Sequence, residues 1–234
     1  MNHLILCLDA CRYDSYVAAD TPNFDKIGRP KKVYSHAGFT SAAMIGMLTN
    51  QPFYNSGDKV FAEGFGSMAF QSVWLPTDAK TKGFKTILLT PNPWVRKLEW
   101  IFRPDWDVFE CLKYDPIWAA RPMIDDLIIE ITGVEKYFAI LWFMATHPPY
   151  SNGVINFGTF VQDNRPQILA VQSVDYEFGR LLPYLHDVSV TICSDHGELF
   201  GEGGGWFHGP SPTPKCAVFH EKLFEIPMVR GRIE

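Results

Sequence analysis

Three apolar runs of strand length each end on a residue able to bind a metal or carry a proton, and this constrains the chain more than any other feature. Val188-Ser189-Val190-Thr191-Ile192-Cys193 alternates apolar with small polar side chains, is rich in β-branched residues, and runs into Ser194-Asp195-His196-Gly197-Glu198. Leu4-Ile5-Leu6-Cys7-Leu8 delivers Asp9, and Phe138-Ala139-Ile140-Leu141-Trp142-Phe143-Met144 delivers His147. In open α/β sheets, ligands gather beyond the carboxyl ends of the strands. The pattern therefore predicts a sheet whose strand ends share one site.

Between these runs the chain alternates apolar strands with helical stretches, as in a layered α/β fold with a largely parallel sheet. Strands are expected around Lys32 to His36, Thr86 to Leu89, near Val108, Tyr137 to Ala145, and Val188 to Cys193. After Asp9 a polar turn is expected, then a helix from about Asn23 to Ile27 opened by Thr21-Pro22. Ser41 to Leu48 has helical composition with Thr40 placed as its N-cap, and further helices fit Ile124 to Thr132 and Pro166 to Tyr184. Gly203-Gly204-Gly205 and Pro210-Ser211-Pro212-Thr213-Pro214 read as loops. With 234 residues and no linker-like stretch, residues 1–234 are expected to form a single domain.

Hydrophobic residues make up 47% and charged residues 20% of the chain, enough apolar surface for a substantial core and too little charge for disorder. A net charge of −5 leaves no basic stripe for a phosphate backbone, so nucleic acid is not an expected partner. The five scattered cysteines, Cys7, Cys11, Cys111, Cys193 and Cys216, read as reduced thiols, and with no signal-peptide pattern at Leu4 to Leu8 the expected location is cytoplasmic. The longest apolar run, Tyr137 to Ala145, falls short of the ~18 residues that span a membrane. Oligomeric state leaves no mark in the sequence.

Four positions suit one chemistry: Asp9, Thr40, Asp195 and His196. Two carboxylates and an imidazole make a mixed oxygen and nitrogen set that suits zinc or manganese, with calcium or magnesium as the alternative ions. The Thr40 hydroxyl would complete the ligand set, the cation would stabilise its alkoxide, and a helix N-terminus offers free N–H groups to an oxyanion. Taken singly, Thr40 also reads as an N-cap and Asp9 as a strand-end carboxylate paired with Arg12. Asp195-His196 at a buried strand end is costly unless its charges are paired or ligated.

On these residues the chain resembles the alkaline phosphatase and sulfatase superfamily. Leu6-Cys7-Leu8-Asp9-Ala10-Cys11-Arg12-Tyr13-Asp14 resembles that family's first strand with its metal-binding aspartate, and Thr21-Pro22-Asn23-Phe24-Asp25 resembles the segment after it. Thr40 to Asn50 is similar to the nucleophile helix, which identifies Thr40 as the nucleophile. Ser194-Asp195-His196-Gly197-Glu198-Leu199-Phe200-Gly201-Glu202 looks like the second metal motif, Phe207-His208-Gly209 like the later substrate or metal histidine, and Glu225-Ile226-Pro227-Met228 like the strand that follows. The resemblance implies a three-layer αβα sandwich, alkaline-phosphatase-like, and a metal-dependent hydrolase or transferase acting on phosphate mono- or diesters through a phosphothreonine.

The departures are informative. Thr40-Ser41-Ala42-Ala43-Met44 lacks the Cys-x-Pro-x-Arg pattern of the usual sulfatases, and threonine cannot form their aldehyde hydrate. No histidine here follows an aspartate by four positions, as in two-zinc members, so the resemblance implies one tightly held ion, as in the branches that transfer phospholipid head groups. His196 in place of an asparagine resembles the phosphatase side. His147 is similar to the family's substrate histidine, fit to protonate a leaving oxygen or bond a phosphoryl oxygen, although His-Pro-Pro also reads as a rigid turn. His208 would play the complementary part or complete the metal shell, or sit in a solvent-facing loop. Arg12 suits a phosphoryl oxygen or Asp14, the pairing with Asp14 being expected, and Glu198 is expected to orient His196 or cap its loop. Trp94, Trp100, Trp106 and Trp118 suit a substrate wall or, as expected here, the core, and Gly64-Phe65-Gly66 lacks the context of a nucleotide loop. The alternatives are a sulfate-ester hydrolase, or a non-catalytic relative that binds an anion or a partner, since the chain is short for the family and has Gly203 where a histidine is common.

Overall fold

The strand Tyr137–Phe143 has every residue buried, which is what an unbroken run of apolar side chains requires of a strand covered on both faces. The computed structural model describes residues 1–49, 74–97, 105–111, 113–116, 118–148, 150, 164–208 and 220–234. Gly64-Phe65-Gly66, Trp100, Gly209, the Pro210 to Pro214 loop and Cys216 lie outside them.

Among the described residues nine strands occur: β1 (Asn2–Leu8), β2 (Lys31–Tyr34), β3 (Lys85–Leu89), β4 (Val108–Glu110), β5 (Tyr137–Phe143), β6 (Val188–Cys193), β7 (Leu199–Phe200), β8 (Trp206–Phe207) and β9 (Glu225–Ile233). The helices are α1 (Tyr13–Ala18), α2 (Thr40–Thr49), α3 (Leu75–Thr81), α4 (Pro93–Lys97), α5 (Ala120–Ile131) and α6 (Arg165–Leu181). Seven strands form one sheet in the order β2-β9-β6-β1-β5-β3-β4, and β7 pairs with β8 in a separate ribbon. From β6 to β4 all neighbours are parallel, while β9 runs antiparallel to both β6 and β2.

Side-chain alternation gives the sheet two apolar faces. Leu4, Leu6, Leu8, Leu141, Phe143, Val190 and Ile192 belong to one core cluster with Met123, Ile124 and Leu127 of α5 and Val171, Val174 and Phe178 of α6. Cys7, Leu88, Phe138, Ile140 and Trp142 belong to a second with Ala42, Met44, Ile45 and Leu48 of α2 and Ala79 of α3. This is the expected three-layer αβα sandwich. Helix α2 is buried over nearly its whole circumference, which explains why it carries no charged residue.

Several elements differ from expectation. The expected turn after Asp9 is followed by an unexpected helix, α1, with Tyr16 buried and stacked on Phe24 at 6.1 Å between ring centroids. The helix expected over Asn23 to Ile27 is a single 3-10 turn at Phe24–Lys26, whose leading N–H groups are held by the Asp175 carboxylate of α6 (2.6 Å to Phe24). Trp106 is core, stacked on Phe138, whereas Trp94 and Trp118 are 49% and 65% exposed, one starting the short α4 and the other in the loop before α5. No helix among the described residues is long and apolar enough to cross a membrane. Cys7, Cys11, Cys111 and Cys193 are buried and form no disulfide.

Candidate metal centre

The ends of β1 and β6 are tied together by the residues that follow them. Asp9 extends the ladder of β1 by donating its N–H to Phe143 O (2.9 Å), and Ala10 then turns the chain through a left-handed conformation at φ 58°. Ala10 N–H donates to Asp195 Oδ1 (3.0 Å) and Cys11 N–H to Ser194 Oγ (2.9 Å). The same hydroxyl oxygen lies 2.6 Å from Leu8 O and 2.7 Å from His196 O. Ser194 is thus the knot that brings Asp9 beside Asp195 and His196.

Each of the three then presents one atom inward. Asp9 Oδ2 accepts bonds from Asn92 Nδ2 (2.6 Å) and Trp142 Nε1 (2.9 Å), leaving Oδ1 with no hydrogen-bond partner. Asp195 Oδ2 is likewise buried and unpartnered. His196 Nδ1 faces the Gly197 carbonyl at 2.7 Å, and since that oxygen only accepts, Nδ1 carries the proton and Nε2 points its lone pair inward. Nε2 lies 3.3 Å from Asp195 Oδ2 and 3.9 Å from Asp9 Oδ1. Thr40 Oγ1 lies 3.2 Å from the same nitrogen.

The fit to a divalent ion follows. Buried carboxylate oxygens without partners are rare because desolvation is expensive, and two facing one another add repulsion. One cation would satisfy both. Ligands held about 2.0–2.2 Å from one ion stand roughly 3.0–3.5 Å apart; the 3.3 Å from His196 Nε2 to Asp195 Oδ2 lies in that range, and the 3.9 Å to Asp9 Oδ1 is slightly longer. Burial pushes the Asp195 carboxyl up to about 6 and raises Asp9, with the mutual repulsion of the two adding to the Asp9 shift. Burial, then the neighbouring His208, pushes His196 down to about 3, favouring the neutral imidazole that ligates metals.

A second cluster, His147, Glu198 and His208, borders the first. The His208 ring stands 4.1 Å from that of His196 and 5.0 Å, edge-on, from that of His147. Glu198 is fully buried and its Oε2 lies 2.9 Å from His208 Nδ1, so it orients His208 and not His196 as expected. Its Oε1 accepts the Leu199 N–H at 3.2 Å, which bears out the loop-capping reading. Burial pushes Glu198 up to about 7 and, with His147, His208 down to about 3. These three residues also have metal-ligating atoms within reach of one another, but both Glu198 oxygens and the Nδ1 atoms of both histidines already have hydrogen-bond partners.

Thr40 is the first helical residue of α2, not its N-cap. The first helical bond runs from Ala43 N–H to Phe39 O, so Phe39 holds the cap position and the Thr40 hydroxyl is turned to His196. Asp9 does not pair with Arg12. That guanidinium binds Asp14 through two nitrogens (2.9 and 2.6 Å), also pairs with Glu202, and lies 4.6 Å over the Phe200 ring, anchoring the loop that carries Glu198. Sequence reasoning did not single out Asn92, Trp142 or Ser35, whose hydroxyl bonds the Asp195 carbonyl. Asn92 lies in the loop just beyond β3, after Thr90 and Pro91, so the rule of strand ends, extended past the first residue, would have found it.

No family profile matches the chain, and neither does any curated protein sequence. Solved structures do. A protein of the alkaline phosphatase superfamily from Vibrio parahaemolyticus superposes with a TM-score of 0.69 at 16% identity, over 100% of this chain and 60% of that one. The lipoteichoic acid synthase LtaP from Listeria monocytogenes gives 0.68 at 12% identity, over 98% and 65%. The C-terminal periplasmic domain of EcEptC from Escherichia coli, in complex with Zn, gives 0.66 at 14% identity, over 100% and 73%. The chain thus spans less than two thirds of the first two proteins. Its fold is that of the alkaline phosphatase superfamily.

Proposed function

We propose that the chain is a metal-dependent phosphoester hydrolase or transferase in which Thr40 is the nucleophile and Asp9, Asp195 and His196 hold one divalent ion, zinc or manganese. The observation that carries this reading is the Thr40 hydroxyl at 3.2 Å from His196 Nε2, beside two buried carboxylate oxygens that have no partner in the protein. When bound, the ion supplies positive charge that stabilises an alkoxide and a phosphoryl oxygen.

The protein's own groups do the rest. Thr40 loses its hydroxyl proton to solvent and attacks phosphorus in line, forming the Thr40 Oγ–P bond as the bond to the leaving oxygen breaks. The first turn of α2 presents backbone N–H groups to the equatorial oxygens. His208 Nε2–H protonates the leaving oxygen as the proton held by Glu198 passes to Nδ1, and His147 beside it bonds a phosphoryl oxygen. Water or an alcohol then attacks the phosphothreonine and frees Thr40. One structural neighbour is named a synthase, so an acceptor other than water belongs within the proposal.

Intact mass after brief exposure to an aryl phosphate tests the reading. A phosphoryl adduct on Thr40 is expected, and its absence alongside measurable turnover would reject the nucleophile. Aryl sulfates assayed in parallel decide between phosphate and sulfate esters. A purified chain with no divalent ion and no affinity for one would favour the non-catalytic alternative.

A further inference from the structure

Asp9 is held by two uncharged donors on the same oxygen. Asn92 Nδ2–H and Trp142 Nε1–H both donate to Oδ2, at 2.6 and 2.9 Å, while Oδ1 has no partner. Neither donor has freedom to move away. Trp142 is fully buried in β5, and Asn92 is 1% exposed. The Asn92 amide is locked in one orientation, because its Oδ1 accepts the Trp94 N–H (2.8 Å) and its nitrogen must therefore face Asp9. Its backbone is pinned as well, the N–H to Thr90 Oγ1 (3.1 Å) and the carbonyl to Cys111 Sγ (3.3 Å).

We propose that Asn92, together with Trp142, is a positioning residue that dedicates Asp9 Oδ1 to the divalent ion and makes Asp9 a one-oxygen ligand. This rests on the metal centre proposed above. Occupying Oδ2 fixes the rotation of the carboxylate, so the ligating lone pair is aimed before an ion arrives. It also withholds the second oxygen. Small ions such as zinc accept single-oxygen carboxylates in a shell of few ligands, whereas calcium takes six to eight oxygens and often both of one carboxylate. Because neither donor carries charge, the carboxylate is oriented without its negative charge being neutralised, and it remains available to the cation.

The test is metal affinity of the purified full chain, measured by competition with a chromophoric chelator for zinc and separately for calcium. Asn92→Ala is expected to weaken zinc binding about 10–100-fold and to move the zinc-to-calcium preference toward calcium. Trp142→Phe keeps the aromatic bulk, removes the other donor, and is expected to shift both in the same direction. Thermal unfolding of the metal-free variants reports whether each folds. If Asn92→Ala does not fold, Trp142→Phe decides through the second donor. Affinities within twofold of the parent, with unchanged preference, overturn the inference. A parent chain that binds neither ion overturns the metal centre itself, a distinct result.

Discussion

Glu198 Oε2 stands 2.9 Å from His208 Nδ1, and both rings that flank His208, those of His196 and His147, lie within 5.0 Å of it. The carboxylate sets which His208 nitrogen is bonded and which one faces the site. His208→Ala is therefore expected to lower turnover of alkyl phosphate esters by about 10²–10⁴-fold, with less effect on aryl esters whose leaving groups need no proton. Glu198→Gln keeps the shape and is expected to show a smaller loss. Zinc content should be unchanged in both. Steady-state rates on a series of leaving groups, with elemental analysis, check this, and an equal loss on every ester would remove His208 from the proton transfer.

Thr40 and Asp195 differ in what their loss should do. Thr40→Ala removes the attacking oxygen while Asp9, Asp195 and His196 stay in place. Turnover is expected to drop by at least about 10³-fold with zinc partly retained. Asp195→Asn removes one of two inward carboxylate charges and is expected to strip the ion, with activity lost through the metal. Metal content measured beside activity separates the two. A Thr40→Ala variant with near-normal rates on a phosphate ester would reject the mechanism.

Gly197 has a steric reason to be glycine. A Cβ there would lie 1.9 Å from the Lys222 carbonyl oxygen, while the Gly197 N–H donates to Leu223 O at 2.8 Å. This contact seats the loop carrying His196 against the turn that leads into β9. Gly197→Ala must push the two apart, at a cost of about 3 kcal/mol, and is expected to lower the melting temperature by roughly 6–12 °C. His196 moves with the loop, so zinc affinity falls too. An alanine variant that melts with the parent would show that the Lys222 turn yields easily.

The parts of this architecture written in local sequence were the ones that could be read from it. The continuous apolar run of β5, the alternation of β6 and the ligand-type residues at three strand ends follow from periodicity within a few residues. The elements that escaped depend on partners far along the chain. The turn at Phe24 is set by Asp175, and the antiparallel placement of β9 by its pairing with both β2 and β6. Glu198 meets His208 only because Gly201, Gly203 and Gly204, all with positive φ, fold β8 back on β7. Asn92, between two prolines, has the composition of a turn, and its bond to Asp9 spans 83 positions.

The acid–base state of the site makes metal binding steeply dependent on pH. Burial raises the Asp195 carboxyl from an ordinary 3.8 to about 6 and Glu198 from 4.5 to about 7, so the folded, metal-free protein holds these protons more tightly than the unfolded chain does. Their contribution to metal-free stability is complete below the ordinary values and is lost as pH rises through about 6 to 7. His196 and His208, pushed down from 6.5 to about 3, act oppositely, with a contribution complete above 6.5 and lost as pH falls toward 3. An ion needs Asp195 ionised and His196 neutral, so below about pH 6 each unit of acid should weaken binding about tenfold, and above about pH 7 affinity should level off. The rise in melting temperature produced by a fixed zinc concentration is therefore expected to be small at about pH 5 and large at about pH 7.5. Thermal unfolding with and without zinc across that range measures it. A zinc-induced rise of the same size at both ends would mean that the ion does not displace the Asp195 proton.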